Sequence, residues 1–479
     1  MNLDADVATV PQLHRALGTL DLVLLNVAAI VGLRWLSVAA QIGPSSLTLW
    51  ALGLITFLVP SALTVLELSS RLPGEGGLYL WSKAAFGDLH GFIAGWSYWI
   101  ANLVFFPSVL LFAAAVLLYV PGGSWLALAD NPLYNGAVSL GILWFATLLN
   151  VVGLERAKWL QNAGAAATWL VGALILCGGL LAWHRFGAAT PIAAPALLPD
   201  VRSLATLASF ATIALAYSGL ELGPILGGEI KNPRRTIARA LLIACVAIAV
   251  LYIAGTAALF AALPAQQINA ISGVPQALAA VATRVGVPVL GVAAAALLTV
   301  AQMGGLGAWI TGTARLPFLF GLDRYLPKAL GAVHPKFGSP HVALLTQGVL
   351  TTVVLLAAIS GSAIREAYVV LINMTVILTF VPLLYMFAAM PILRRRAPGR
   401  HSGVTLIPGG PFTCWVVAGS GFSVTLLAVL FAMVPPAAST GRTLFAVKVV
   451  GGSATLIAAG LVFYFRGHRL VSSAMRTPD

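Results

Sequence analysis

Residues 217–224 read Tyr217-Ser218-Gly219-Leu220-Glu221-Leu222-Gly223-Pro224. They lie inside an apolar run, 203–228, that is long enough to cross a bilayer as one helix. Yet the stretch carries a carboxylate, glycine on either side of it, and a proline that cannot donate a backbone hydrogen bond. An ionisable residue within the membrane marks a functional place by default. A second stretch has the same character: Ile30-Val31-Gly32-Leu33-Arg34-Trp35 sets a guanidinium next to glycine within the run 20–42.

The rest of the chain explains why these two stretches stand out. Of its 479 residues, 59% are hydrophobic and 9% charged, whereas a soluble domain carries about 25% charged residues. A chain so poor in charge cannot cover its own surface in water. Lipid removes the conflict, and only helices or closed barrels satisfy the backbone there. The runs are long and continuous rather than alternating, so the expected class is an all-α membrane protein.

Twelve spans are predicted, at 20–42, 46–68, 91–120, 134–152, 159–183, 203–228, 237–263, 287–320, 342–359, 367–390, 412–434 and 444–465. With the N-terminus inside and the spans alternating, 20 of the 27 Lys and Arg fall on the inner side or at the inner end of a span, six on the outer side or at its end, and one, Arg34, inside span 1. That asymmetry is the positive-inside rule. It places both termini in the cytoplasm of a multi-pass protein of the cell inner (plasma) membrane. The same distribution accounts for the formal charge of +13: the basic residues sit in short clusters between apolar runs, so nucleic acid is not an expected partner. The expected organisation is a tail at 1–16, a transport core at 17–392 (spans 1–10), two further spans at 393–466 and a tail at 467–479.

The residues that other chemistries need are missing from the pattern. No Gly-x-x-x-x-Gly-Lys-Ser/Thr loop encodes ATP binding. Cys177, Cys245 and Cys414 lie in apolar runs without ligand spacing. His334 and His341 share a polar loop flanked by proline and do not read as a metal site. No Ser/His/Asp set is apparent. A polytopic enzyme would need clustered acids, and the 14 acidic residues are scattered. No cofactor, metal or catalytic residue is expected.

Spans 1 and 6 are five apart, so two inverted repeats of five would make them equivalent. Interrupted helices in matching positions of two halves point to a transporter's binding site. A broken helix bares N–H groups that attract a carboxylate and C=O groups that attract an ammonium or a cation. Other readings stay open: Gly and Pro also serve close packing, and Arg34 and Glu221 could pair as a structural ion pair. Asn102, in span 3, either contacts substrate or bonds between helices, and its aromatic neighbours Phe105 and Phe106 read as packing or an interface belt. Gln302, in Gln302-Met303-Gly304-Gly305, is a weaker candidate of the same kind.

Three stretches together resemble the amino acid–polyamine–organocation superfamily of transporters. They are Arg71-Leu72-Pro73-Gly74-Glu75-Gly76-Gly77-Leu78-Tyr79-Leu80-Trp81; Tyr217 to Glu221 with Glu229-Ile230-Lys231-Asn232-Pro233-Arg234-Arg235; and Thr313-Ala314-Arg315 through Asp323-Arg324-Tyr325-Leu326-Pro327-Lys328 with Gly338-Ser339-Pro340. Ile407-Pro408-Gly409-Gly410 is similar to the glutamate/GABA antiporter and polyamine transporter branches. The resemblance implies a LeuT-like fold, spans 1–5 and 6–10 as inverted repeats and spans 11 and 12 appended. It implies a site between spans 1, 3, 6, 8 and 10. There the substrate carboxylate would meet Val31, Gly32, Leu33 and Arg34, and its ammonium the carbonyls of span 1 and of Tyr217, Ser218, Gly219 and Leu220. Asn102 falls near that site, and Glu221 on a gating position.

The implied function is a secondary transporter, symporter or exchanger, of an amino acid or related amine. The alternative is a non-transporting amino-acid sensor on the same fold. Two departures stand out. The usual Gly-Ser/Ala-Gly of span 1 is here Gly32-Leu33-Arg34-Trp35, so Arg34 is left either to contact an anion or to repel cations. The lysine that some members carry in span 5 is absent at Ala166–Thr168. Sodium coupling, proton coupling through Glu221, exchange and uniport therefore all stay open, as does the oligomeric state.

Overall fold

Every backbone N–H and C=O that enters lipid needs a partner within the chain, and the protein meets that need with helices. The computed structural model describes residues 17–121, 124–269, 271–361, 364–396, 404–435 and 442–474. The expected N-terminal tail, residues 1–16, lies outside them. In chain order the helices are α1 Thr19–Ile30 and α2 Arg34–Ala40, α3 Ser45–Arg71, α4 Leu78–Phe86, α5 Asp88–Leu117, α6 Pro132–Val151 and α7 Leu154–Phe186. There follow α8 Leu204–Ala216, α9 Leu222–Ile225, α10 Pro233–Ala262 and α11 Gly273–Arg284. The last are α12 Val289–Thr313, α13 Arg315–Leu322, α14 His341–Gly361, α15 Ile364–Arg396, α16 Gly410–Ala432 and α17 Thr443–Gly467. The last helix continues to Ala474, so residues 467–474 of the expected C-terminal tail are helical. No strand is formed among the described residues; an isolated parallel bridge joins Leu17 to Ile230.

Ten of these segments are long and apolar enough to cross a membrane: α3, α5, α6, α7, α10, α12 running into α13, α14, α15, α16 and α17. The runs at 20–42 and 203–228 do not qualify, for a physical reason. Each is interrupted, leaving pieces of 12 and 7 residues in the first and 13 and 4 in the second. α5 is the central helix, with 89% of its apolar window buried, and α17 the most peripheral, at 22%. Outward-facing side chains such as Trp169, Leu242, Val246 and Val353 present apolar surface to the bilayer.

The connections sort into two sets that share no segment. In the first, Leu17 N–H donates to Glu229 O and Lys231 N–H to Leu17 O, at 3.0 and 2.9 Å. Gly76 N–H donates to Ile225 O at 3.1 Å. Ser339 Oγ donates to Val151 O at 2.6 Å, Lys83 pairs with Asp323 at 2.9 Å, and Arg396 donates to Ala84 O at 2.9 Å. In the second set, Gln41 donates to Ile268 O at 3.0 Å and Thr48 to Leu197 O at 2.6 Å. Thr190 N–H donates to Phe260 O at 2.8 Å, and Lys448 pairs with Glu366 at 2.8 Å.

The first set is the more heavily built. Arg315, opening α13, grips Glu229 through Nε and Nη2, with contacts of 2.9, 2.7 and 3.0 Å, and both side chains are buried. Glu67, buried near the end of α3, accepts from Arg71 at 2.9 Å, from Arg394 at 3.2 Å and from the backbone of Ile407 at 3.0 Å. A carboxylate so buried needs that many donors, because an unpaired charge there is strongly unfavourable. Breaking such a pair by removing one partner costs about 3–5 kcal/mol.

Deeper in the molecule, two helices meet at a contact between two glycines. The backbones of α7 and α12 meet at Gly164 and Gly304, where a Cβ on either would come within 2.5 Å of the other's Cα. Small residues at such a crossing let two membrane helices approach backbone to backbone.

Glu75, in the turn between α3 and α4, has its Oε1 buried without a hydrogen-bond partner. Burial, together with the nearby Glu229, raises its pKa from 4.5 to about 7. The unfolded chain would release that proton near pH 4.5, the folded protein only near pH 7. The folded state therefore binds more protons in that window, and stability falls as pH rises through it. The melting temperature of the detergent-solubilised protein should decline between those two values and level off above. Glu75→Gln should remove that part of the decline.

Candidate functional site

A cavity opens where the two broken helices face each other. Its lining comes from the first break (Ile30, Val31, Gly32, Arg34, Trp35), from α5 (Asn102, Phe105, Val109) and from the second break (Leu215, Ala216, Ser218). The rest comes from α12 (Ala301, Gln302, Gly305, Leu306, Trp309) and α15 (Thr375, Thr379). About 620 Å³ of non-atom space, open solvent included, lies among these walls. Arg34 is the one charged side chain in this lining.

The first break spans Val31 to Leu33. Gly32 N–H turns back onto Ile30 O at 2.8 Å, and Trp35 N–H reaches Gly32 O at 2.9 Å. The second break spans Tyr217 to Glu221. Ser218 Oγ donates to Leu215 O at 2.7 Å. Gly219 holds φ at +119°, and a Cβ there would come within 3.0 Å of Ile30 and 3.2 Å of the Trp309 ring. Both the backbone angle and the space exclude a side chain.

One hydroxyl joins the two breaks. Tyr252, on α10 and fully buried, accepts from Gly32 N–H at 3.1 Å and lies within donor distance of Ile30 O, at 2.8 Å, and Ala216 O, at 3.2 Å. Its ring packs on Trp50 with centroids 4.5 Å apart, and Trp50 in turn packs on Tyr217 at 5.0 Å. Tyr217 therefore points away from the cavity, donating to Trp50 O at 3.0 Å. No local signal in the chain marks Tyr252 as a site residue. A tyrosine buried among apolar neighbours usually finds a partner for its hydroxyl, but which partner depends on how α10 packs.

Glu221 does not pair with Arg34. Its carboxylate accepts from Tyr98 at 2.9 Å and from Gly219 N–H at 3.0 Å. It thus satisfies the Gly219 N–H that the broken helix left bare, and the ion pair between Arg34 and Glu221 is not formed. Arg34 is 3% exposed and lies between two rings, its Cζ 4.5 Å from the centroids of Trp35 and Phe105. Asn102 donates to Tyr98 O of its own helix at 2.8 Å while lining the cavity.

Of the residues singled out from the sequence, Val31, Gly32, Arg34, Asn102, Ser218 and Gln302 come together on the cavity wall. Leu33, Tyr217, Gly219, Leu220 and Glu221 stand behind it, buried. Phe105 belongs to the wall, whereas Phe106 is packed in the core. Trp309, Thr375 and Thr379 were not anticipated; each lies in a run whose composition gives no contrast. Among the described residues no three His, Cys, Asp or Glu side chains gather as a metal site.

Two substitutions test this construction. Tyr252→Phe removes the one hydroxyl shared by Gly32 N–H, Ile30 O and Ala216 O, leaving Gly32 N–H and Ile30 O only each other and Ala216 O short of a donor, and should cost about 1–3 kcal/mol of stability. Gly219→Ala forces a side chain into a glycine conformation and should cost about as much again. Thermal unfolding of the two variants in detergent measures both losses.

Comparison with known proteins gives the family. The profile of the amino acid permease family matches residues 17–455. An uncharacterized transporter of Legionella pneumophila is 30% identical over 441 residues, covering 91% of this chain and 94% of its own. An uncharacterized transporter of Mycobacterium tuberculosis is 29% identical over 341 residues, 70% of this chain and 72% of its own. A glutamate/gamma-aminobutyrate antiporter of Lactococcus lactis is 26% identical over 398 residues, 80% of this chain and 77% of its own. Family and relatives together identify a multi-pass membrane transporter of a small molecule, not an enzyme. The chain whose two interrupted helices meet at this cavity belongs to the amino acid permease family.

Proposed function

We propose that the protein is a secondary active transporter, a symporter or exchanger, that moves an amino acid or related amine across the cell inner membrane by alternating access. The observation that carries this reading is the meeting of two helix breaks at one cavity, tied together by the Tyr252 hydroxyl. Unwound backbone is tolerated at membrane depth only where protein buries it or it lines a cavity. Two such places facing each other form a pair of bare peptide ends, suited to the two ends of a zwitterion.

In this reading the N–H groups opening α2, at Leu33 and Arg34, receive a carboxylate, and carbonyls at the C-terminal ends of α1 and α8 receive an ammonium. Asn102, Ser218 and Gln302 supply side-chain contacts. Gly219 and Leu220 shape the second break from behind, and Glu221 holds it in place as a gating element. Binding favours an occluded state over the two open ones, and the repeats rock around it. The relative from Lactococcus lactis bears the name of an antiporter, which favours exchange among the open modes.

The same proposal fixes a topology of twelve crossings in a LeuT-like arrangement. Spans 1–5 and 6–10 form two inverted repeats within residues 17–392, spans 11 and 12 follow in 393–466, and both ends are cytoplasmic. Two disjoint sets of bonded connections support it, because an even alternation of crossings produces just such a division. The set containing Arg71, Arg315 and Arg394, and with it the loop that carries Lys336 beside Ser339, would be cytoplasmic by the positive-inside rule.

Two measurements test these statements. Proteoliposomes should take up or exchange a labelled amino acid or amine; if no amino acid, amine or small carboxylate moves, the assignment falls. In a chain stripped of its native cysteines, one introduced at Lys336 should react with an impermeant maleimide only from the cytoplasmic side, and one at Arg202 only from the opposite side. The reverse pattern, or labelling of both from one side, overturns the topology.

A further inference from the structure

Arg34 is a buried cation without an anion. Its side chain lines the cavity, yet among the described residues it makes no ion pair, and its Nε is buried without a hydrogen-bond partner. The titratable groups within electrostatic reach are two phenols, Tyr368 and Tyr252, not a carboxylate. Tyr252 is committed to the helix breaks. The hydroxyl of Tyr368, on α15, is itself buried with no partner. Glu221, the acid of the second break, is occupied by Tyr98 and Gly219.

The rings of Trp35 and Phe105 offset part of the burial of Arg34. Faces of rings attract a cation, but they do not replace the hydrogen bonds that a guanidinium loses when it leaves water. They also offer no acceptor to the guanidinium N–H groups, and Arg has no form that gives up its proton in a protein. An anionic oxygen from outside the chain would supply both the charge and the acceptors. The fork of an arginine fits a carboxylate in a way that no neutral amide or ammonium can match.

We propose that the substrate carries a net charge of −1 and presents a carboxylate to Arg34, which makes an acidic amino acid the class that this cavity selects. The inference rests on the transport reading and deepens it. An acidic amino acid supplies an ammonium and an α-carboxylate for the two broken helices and a second carboxylate for the guanidinium. A neutral zwitterion leaves the positive charge in the cavity uncompensated, and a cationic amino acid adds to it. Arg34 is then the residue that sets specificity, and cations are disfavoured by the same charge that attracts anions.

The test separates binding from transport. The purified protein is titrated with L-glutamate, L-aspartate, L-glutamine and L-arginine, by calorimetry and by thermal shift, in chloride-free HEPES buffer and again with added chloride. Glutamate or aspartate should bind about tenfold or more tightly than glutamine, and arginine should give no shift. Arg34→Gln should bring the acidic and neutral ligands to within about twofold of each other, while Arg34→Lys should keep part of the preference. Equal or better binding of glutamine or arginine by the native protein overturns the proposal. So does an Arg34→Gln variant that melts lower but keeps the acidic preference, or a stabilisation by chloride equal to that by glutamate. The wild-type ranking alone decides the matter if the variants fail to fold. Acidic ligands that bind but do not move in proteoliposomes would sink the transport reading and leave this one standing. Uptake of neutral or cationic amino acids in preference to acidic ones would do the opposite.

Discussion

The hydroxyl of Tyr252 is the point on which the centre of the molecule depends. Interrupting a helix in lipid leaves backbone groups unpaired, and each such group costs several kcal/mol in a medium with nothing to bond. Two interruptions side by side would be prohibitive unless other parts of the chain supplied the missing partners. Tyr252 does so for both at once, reaching Gly32 N–H and the carbonyls of Ile30 and Ala216 from a third helix. Glu221 completes the second break by accepting from Gly219 N–H and Tyr98. Side chains on unbroken neighbours thus hold the breaks open as built features, and the cavity between them follows.

The charged residues divide the work. Glu229 with Arg315, and Glu67 with Arg71 and Arg394, fasten connections on one face of the molecule. Each carboxylate there is buried and matched by arginine, so these groups hold loops in register without offering an open charge. Arg34 is built in the opposite way, with aromatic faces around it and, among the described residues, no ion pair. The contrast between matched and unmatched guanidinium groups in one chain separates those that hold the scaffold from the one that faces the cavity.

Much of this was legible in the sequence, and the limits have a physical cause. The membrane class followed from composition, and the positions of the two breaks from a charge, glycine and proline set in otherwise apolar runs. Those signals are local and survive without a fold. Directions are not local. Nothing in Tyr217-Ser218-Gly219-Leu220-Glu221 says that Ser218 faces the cavity while Tyr217 packs on Trp50 and Glu221 turns to Tyr98. An unwound segment has no helical period to project, so its residues cannot be assigned to a face by spacing. Tyr252 and Trp309 were invisible for another reason: each is one aromatic residue in an apolar run, and only the packing of α10 and α12 brings them to the site.

The contact between Gly164 and Gly304 has a mechanical meaning of its own. Side chains between helices act as a compliant layer that lets one slide a little against the other. Here the layer is missing, and main chain rests on main chain. At this one crossing α7 and α12 have no side-chain cushion, so a displacement of either is felt directly by the other. Any shift of the wall that carries Gln302 and Trp309 must therefore drag α7 along, and the slack for movement has to be found on other seams of the molecule.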